Sequence, residues 1–116
     1  MQSKYFTRKE FACKCGCGYA VVDVELLAVL EDVREHFQEP VTINSACRCD
    51  THNRNVGGIS NSKHKLGIAS DIVVRDIPVA VVQDYLLNKY PDSLGIGCYE
   101  TFTHVDVREG KSRWFG

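Results

Sequence analysis

The chain predicts an α+β fold, a small antiparallel sheet with helices packed on it, because its helical and extended patterns fall in separate groups. Two observations carry that expectation. Val24, Leu27, Leu30, Val33 and Phe37 form an apolar stripe at helical spacing, and short β-branched or alternating runs follow with turn residues between them. At 116 residues and 44% hydrophobic content, without repeats, low-complexity stretches or an obvious linker, residues 1–116 are expected to form one domain.

Each element has its own signal. Asp23 is placed to cap a helix running to about Phe37, with Pro40 beyond its end. Val41-Thr42-Ile43-Asn44-Ser45 alternates and is β-branched, a strand that delivers Arg48 to the following turn. His52 to Lys65 is rich in Asn, Gly and Ser and contains Gly57-Gly58, so it reads as a surface loop or short helix, a setting that often carries function. Ile68 to Val74 reads as a strand. A second helix from about Pro78 to Tyr90 presents Val79, Val82, Leu86 and Tyr90 on one side, with Asp76 able to accept from its first amides. Leu94–Tyr99 and Thr103–Arg108 complete an antiparallel hairpin whose link holds Glu100 and Thr101.

Composition excludes several classes of function. The net charge is −1 and the basic residues are scattered, which gives no basis for nucleic-acid or anionic-membrane binding. No apolar run approaches the roughly 20 residues of a membrane span. Met1 to Ala20 lacks the continuous apolar core of a secretory signal, so synthesis in the cytoplasm is expected, as a monomer. Six cysteines fall into Cys13, Cys15 and Cys17, then Cys47 and Cys49, then Cys98. The alternating spacing is not the C-x-x-C knuckle of zinc ribbons, and without an export signal a full disulfide set is disfavoured. Reduced thiols are expected, with at most one structural pair joining the N-terminal arm to the Cys47–Cys49 turn. A second, cysteine-based metal site is the alternative.

The chemistry concentrates in Ser62-Lys63-His64-Lys65-Leu66-Gly67-Ile68-Ala69-Ser70-Asp71 and in His104-Val105-Asp106-Val107-Arg108. His64, Asp71 and His104 come in an order that can close around one zinc ion and leave a fourth position for water, as catalytic zinc sites do. His64 and Asp71 are too far apart for a helical i, i+4 pair, but Gly67 between them allows convergence from opposite ends of a tight turn. Asp71 is flanked by Ile68, Ala69, Ile72 and Val73, which implies burial, and a buried carboxylate needs a partner or a metal. The plainer role for Asp71 is a turn cap or a partner for Arg48. Residues two apart on a strand share a face, so His104, Asp106 and Arg108 form one row. Asp106 could then touch a metal-bound water, orient the ligand, or pair with a cation. The plainer role makes His104 a half-buried strand histidine and Asp106 an exposed charge.

Taken together, S-x-H-x-x-G-x-A-x-D and the later H-V-D-V-R resemble the zinc peptidases of the D-alanyl-D-alanine carboxypeptidase family. That family includes phage L-alanyl-D-glutamate endolysins and shares its fold with the hedgehog signalling domain. The similarity spans most of the chain. Tyr5 to Phe11 resembles the opening of such domains; Ser45-Ala46-Cys47-Arg48, His52-Asn53 and Val56-Gly57-Gly58 resemble the segment before the first ligand. Gly95-Ile96-Gly97 resembles the stretch before the last ligand, and Arg113-Trp114 a frequent ending. The resemblance implies a hedgehog/DD-peptidase-like fold with one zinc ion held by His64, Asp71 and His104. It also implies that Arg48 reaches toward the scissile carbonyl and that Ser62 lines the substrate groove. This chain departs from the pattern at Cys47, where relatives often carry Tyr, and at Thr101 and Phe102, where many carry an acidic residue or a His.

The implied activity is that of a zinc peptidase acting on peptidoglycan stem peptides, as carboxypeptidase or endopeptidase, at the bacterial cell wall, either a phage or prophage endolysin or a related wall-remodelling enzyme. A carboxylate takes a proton from water and returns it to the leaving amine, while Arg48 helps stabilise the oxyanion. Asp106 is the favoured base because it shares a strand face with His104, and Glu100 is the other candidate. No covalent intermediate is expected, since Ser62 has no neighbouring His-Asp arrangement and the cysteines no clear His partner. The main rival is a non-catalytic, hedgehog-like zinc-binding module. A cysteine-rich nucleic-acid binder fits poorly with the near-neutral charge.

Overall fold

Helix α2 (Val24–Phe37) forms where the capping signal and the apolar spacing coincide. Asp23 is extended, and its Oδ1 accepts from the Glu25 N–H at 2.8 Å, satisfying one of the amides that a helix start leaves unpaired. Leu26, Leu27, Val29, Leu30 and Val33 are buried. Val24, expected at the head of the stripe, is 81% exposed. At roughly 100° per residue the buried arc centres on Leu26, Leu30 and Val33, and Val24 falls on the far side of the helix. The helix ends at Gln38, which adopts a left-handed φ of 55° and donates its N–H to the Arg34 carbonyl at 3.0 Å.

These features belong to a computed structural model that describes residues 4–11, 23–45 and 68–116. A short helix α1 (Arg8–Phe11) precedes α2, with the Thr7 N–H donating to Glu10 Oε1 at 2.9 Å as half of a capping box. After α2 come β1 (Val41–Ser45), β2 (Ala69–Val74), α3 (Val79–Lys89), β3 (Leu94–Cys98), β4 (Thr103–Asp106) and β5 (Lys111–Phe115). The five strands form one sheet in the order β1-β2-β4-β3-β5, so β4 is central. All neighbours are antiparallel except β3 and β5.

The α+β class predicted from the sequence is present, with one difference: the sheet is mixed. Arg113-Trp114 lies on β5, a strand the sequence reading did not identify, which pairs in parallel with the far side of β3. The connection crosses the start of β3, and Gly110 turns it with φ 75°.

One face of the sheet receives the helices. Ile43, Ile72, Val74, Leu94, Ile96 and Val105 join Leu26, Leu30, Val33, Val82 and Leu86 in the core. Alternation along each strand therefore sends Asp71, Gly95, Gly97, His104 and Asp106 to the opposite face. Ser70 is on the helix side, fully buried, and its Oγ has no hydrogen-bond partner among the described residues. Ser70→Ala is expected to stabilise the fold by about 1 kcal/mol, because it removes an unsatisfied buried hydroxyl; thermal denaturation would register a rise in Tm.

Helix α3 is capped differently from expectation. Its N-cap is Pro78, without a side-chain cap. Asp76 instead sits in the preceding turn with φ 62° and a side chain 78% exposed beside Arg75. Helices α2 and α3 are joined by a single carboxylate. Asp32 Oδ1 accepts from the Tyr85 hydroxyl at 2.8 Å and Lys89 Nζ at 3.0 Å, and Oδ2 accepts from the Tyr90 hydroxyl at 2.8 Å. Burial alone would raise the Asp32 pKa, but the bonds from Lys89, Tyr85 and Tyr90 outweigh it and hold the carboxyl below its ordinary value. Burial and the same carboxylate push Tyr90 up to about 12.

A carboxylate with a lowered folded pKa contributes stability above its unfolded value of about 3.9, and that contribution is lost as pH falls through the folded value. Asp32→Asn is therefore expected to cost about 1.5–3 kcal/mol at pH 7 and progressively less below about pH 4, read from urea titrations across pH.

No helix among the described residues is long and apolar enough to cross a membrane. Cys98 carries no disulfide, and burial pushes its thiol pKa up. The other five cysteines, and the pairing expected between the arm and the Cys47–Cys49 turn, lie outside the described residues.

Candidate active site

Strands β2 and β4 place Asp71 directly opposite His104. Their side chains meet on the face away from the helices, His104 Nδ1 lying 3.0 Å from Asp71 Oδ1. The other ring nitrogen, Nε2, lies 2.8 Å from Asp106 Oδ2. Asp106 is fully buried and its carboxylate is gripped by Arg108, with Nε donating to Oδ1 at 2.7 Å and Nη2 to Oδ2 at 2.6 Å. The predicted row of His104, Asp106 and Arg108 is thus real, and it continues across the sheet to Asp71.

The Gly95-Ile96-Gly97 motif has a steric reason. Gly95 is opposite Asp106 and Gly97 opposite His104. A Cβ at Gly95 would run into the Asp106 carboxylate and Arg108 Nε, and one at Gly97 would come within 2.6 Å of the Trp114 indole. The missing side chains let Arg108 and Trp114 cross over β3. Trp114 then packs against His104 with ring centroids 5.0 Å apart, donates its Nε1–H to the Tyr99 hydroxyl at 2.9 Å, and lies 5.2 Å from the Arg108 guanidinium. Sequence reasoning singled out Arg113-Trp114 only by resemblance. The signal that could have assigned it a place is the pair of glycines facing the His-x-Asp strand.

Electrostatics follow from these contacts. Burial would raise the Asp106 pKa, but hydrogen bonds from Arg108 and His104 dominate and hold it well below the carboxylate range. Burial would lower the His104 pKa, yet its bonds to Asp106 and Asp71 give a net rise. The expectation that Asp106 is the general base meets an unfavourable geometry. Both its oxygens are occupied, and it sits on the ring nitrogen facing away from Asp71. Glu100 is exposed at the β3–β4 turn, which Gln83 pins by donating to the Tyr99 and Phe102 carbonyls at 3.1 and 3.4 Å.

Arg48, Ser62 and His64 lie outside the described residues. Of the described residues flanking that segment, Ser45 pairs with Asp71, and the Ile68 carbonyl accepts from the Val107 N–H at 3.0 Å. Both ends of that segment therefore adjoin the Asp71–Asp106 stretch. Among the described residues no group of three or more His, Cys, Asp or Glu side chains is arranged to hold a metal. The pair that is present does suit one. An imidazole nitrogen and a carboxylate oxygen 3.0 Å apart can share an ion about 2.0–2.2 Å from each, with the donor types zinc takes.

A histidine and an aspartate aimed at one point from neighbouring strands of a mixed α+β sheet are donor types that metallopeptidases place on a metal. The family model Peptidase M15 matches residues 4–106, and the chain belongs to that peptidase family. A search of curated proteins finds no match.

Proposed function

We propose that the protein is a zinc-dependent peptidase that hydrolyses amide bonds in peptidoglycan stem peptides, as a carboxypeptidase or an endopeptidase. The observation that carries this reading is the cross-strand pair of His104 Nδ1 and Asp71 Oδ1, 3.0 Å apart, in a chain of the Peptidase M15 family. His64, Asp71 and His104 would hold one zinc ion. Zinc, when bound, supplies the Lewis acidity that polarises a carbonyl and makes water nucleophilic near neutral pH.

The remaining chemistry falls to the chain's own groups. Arg48 neutralises charge developing on the scissile carbonyl oxygen, and Ser62 lines the groove that orients the peptide. The proton taken from water must reach the leaving amine through a carboxylate within hydrogen-bond reach of both. With Asp106 engaged at both oxygens, Glu100, exposed on the β3–β4 turn, is the better candidate for that base. The site of action in this reading is the bacterial cell wall, and the protein works as a monomer.

Mass spectrometry of purified peptidoglycan fragments after incubation with zinc-loaded protein tests the reading and identifies the bond. New stem-peptide termini that disappear with a chelator are expected; intact fragments would favour a non-catalytic zinc module. Glu100→Gln is expected to lower turnover by about 100-fold or more with zinc retained. Activity within a few-fold of the unaltered protein would remove Glu100 from the mechanism.

A further inference from the structure

We infer that Asp106 and Arg108 are positioning residues that commit His104 Nε2 as a donor to Asp106 and so reserve Nδ1 for a metal. The inference rests on the zinc-peptidase reading. A neutral imidazole has one N–H and one lone pair, and which nitrogen carries which is set by the bond the other nitrogen makes. Here Asp106 Oδ2 stands 2.8 Å from Nε2 and, as an ionised carboxylate, can only accept. With a metal ion on the Asp71 side, the single proton of the neutral ring belongs on Nε2 and the Nδ1 lone pair turns to the ion; without the ion, Asp71 Oδ1, 3.0 Å away, accepts from Nδ1 as well.

Arg108 keeps Asp106 in that role. Its fork meets the carboxylate at 2.7 and 2.6 Å and its backbone N–H adds a third contact at 3.3 Å, so the carboxylate has no freedom to rotate away. Trp114 closes the remaining side, tilted against the imidazole with centroids 5.0 Å apart and tied at its own N–H to Tyr99. A ring held at one nitrogen and along its edge does not flip. Buried ion pairs are a weak source of stability, since desolvation of the charges opposes their attraction. What this pair does supply is a fixed ring orientation, which metal sites commonly obtain from a carboxylate behind the ligand histidine.

The test uses the full chain with zinc as the probe. Affinity is measured by competition with a chromophoric chelator for the unaltered protein, Asp106→Asn, Arg108→Gln and Arg108→Lys. Nitrogen-15 correlation spectra of the His104 ring in the zinc-loaded protein identify the ligating nitrogen. Expected are ligation through Nδ1 with Nε2 protonated, a loss of about 10–100-fold in affinity in Asp106→Asn and Arg108→Gln, and partial recovery in Arg108→Lys. If Asp106→Asn does not fold, Arg108→Gln, at a side chain 27% exposed, decides the matter. Ligation through Nε2, or Arg108→Gln affinity within about two-fold of the unaltered chain, would overturn the inference while the zinc reading stands. A purely structural pair would lower thermal stability without moving either readout. An unaltered chain that takes up no zinc would overturn the peptidase reading and this inference with it.

Discussion

The Asp71→Ala variant is expected to purify without zinc and to lose peptidase turnover by about 1,000-fold or more. Asp71 presents its carboxylate to the point that His104 Nδ1 also faces, so its loss leaves the proposed site with imidazole ligands only. The several kcal/mol of transition-state stabilisation that a metal supplies correspond to at least about three powers of ten in rate. The fold should survive, because Asp71 projects from the face opposite the helices while its neighbours Ile72 and Val74 remain in the core. Elemental analysis, circular dichroism and the fragment assay check the three parts separately. Unchanged zinc in this variant would place the ion among the cysteines instead.

Arg113→Ala is expected to destabilise the fold by about 3–4 kcal/mol, seen as a fall in Tm of more than about 10 °C. The half-buried guanidinium donates to four carbonyls: Nη1 to Leu94 at 2.6 Å and Ser112 at 2.9 Å, Nη2 to Tyr90 at 2.7 Å and Ser93 at 2.9 Å. Tyr90 is the C-cap of α3, where a cation is favoured by the helix dipole and orphan carbonyls need donors. Leu94, buried with a φ of 67°, opens β3 in a conformation disfavoured for a bulky residue, and its carbonyl is one of the four. Hydrogen bonds from a charged donor contribute about 1.5–3 kcal/mol each and do not add fully when they share one group. Arg113→Lys should recover only part, since an ammonium cannot span both sides of the turn. A fall of under about 3 °C for Arg113→Ala would show that water satisfies these carbonyls as well.

The elements that the sequence made legible are those with local causes. Asp23 caps α2 because its side chain reaches an amide two residues away, and the α2 stripe is buried because 3.6-residue periodicity is a property of the chain itself. The shared face of His104 and Asp106 follows in the same way from the two-residue period of a strand. Asp71, a carboxylate flanked by apolar residues, needs a partner, and it has one across the sheet.

What local rules could not supply were relations between distant segments. The parallel pairing of β5 with β3 brings Trp114 onto His104 and Arg113 under α3, and no short-range signal in Lys111–Phe115 encodes it. The shared face of His104 and Asp106 is likewise silent on what occupies the Asp106 oxygens. Arg108 reaches that carboxylate because Gly95, one strand away, leaves the space. Sequence by itself determined α2, α3 and strands β1 to β4, the α+β class and the types of group that can perform hydrolysis, because each depends on neighbours a few residues off. Tertiary structure alone decided which nitrogen of His104 faces Asp71 and which is held by Asp106, because register and side-chain room are properties of strands that meet only after folding.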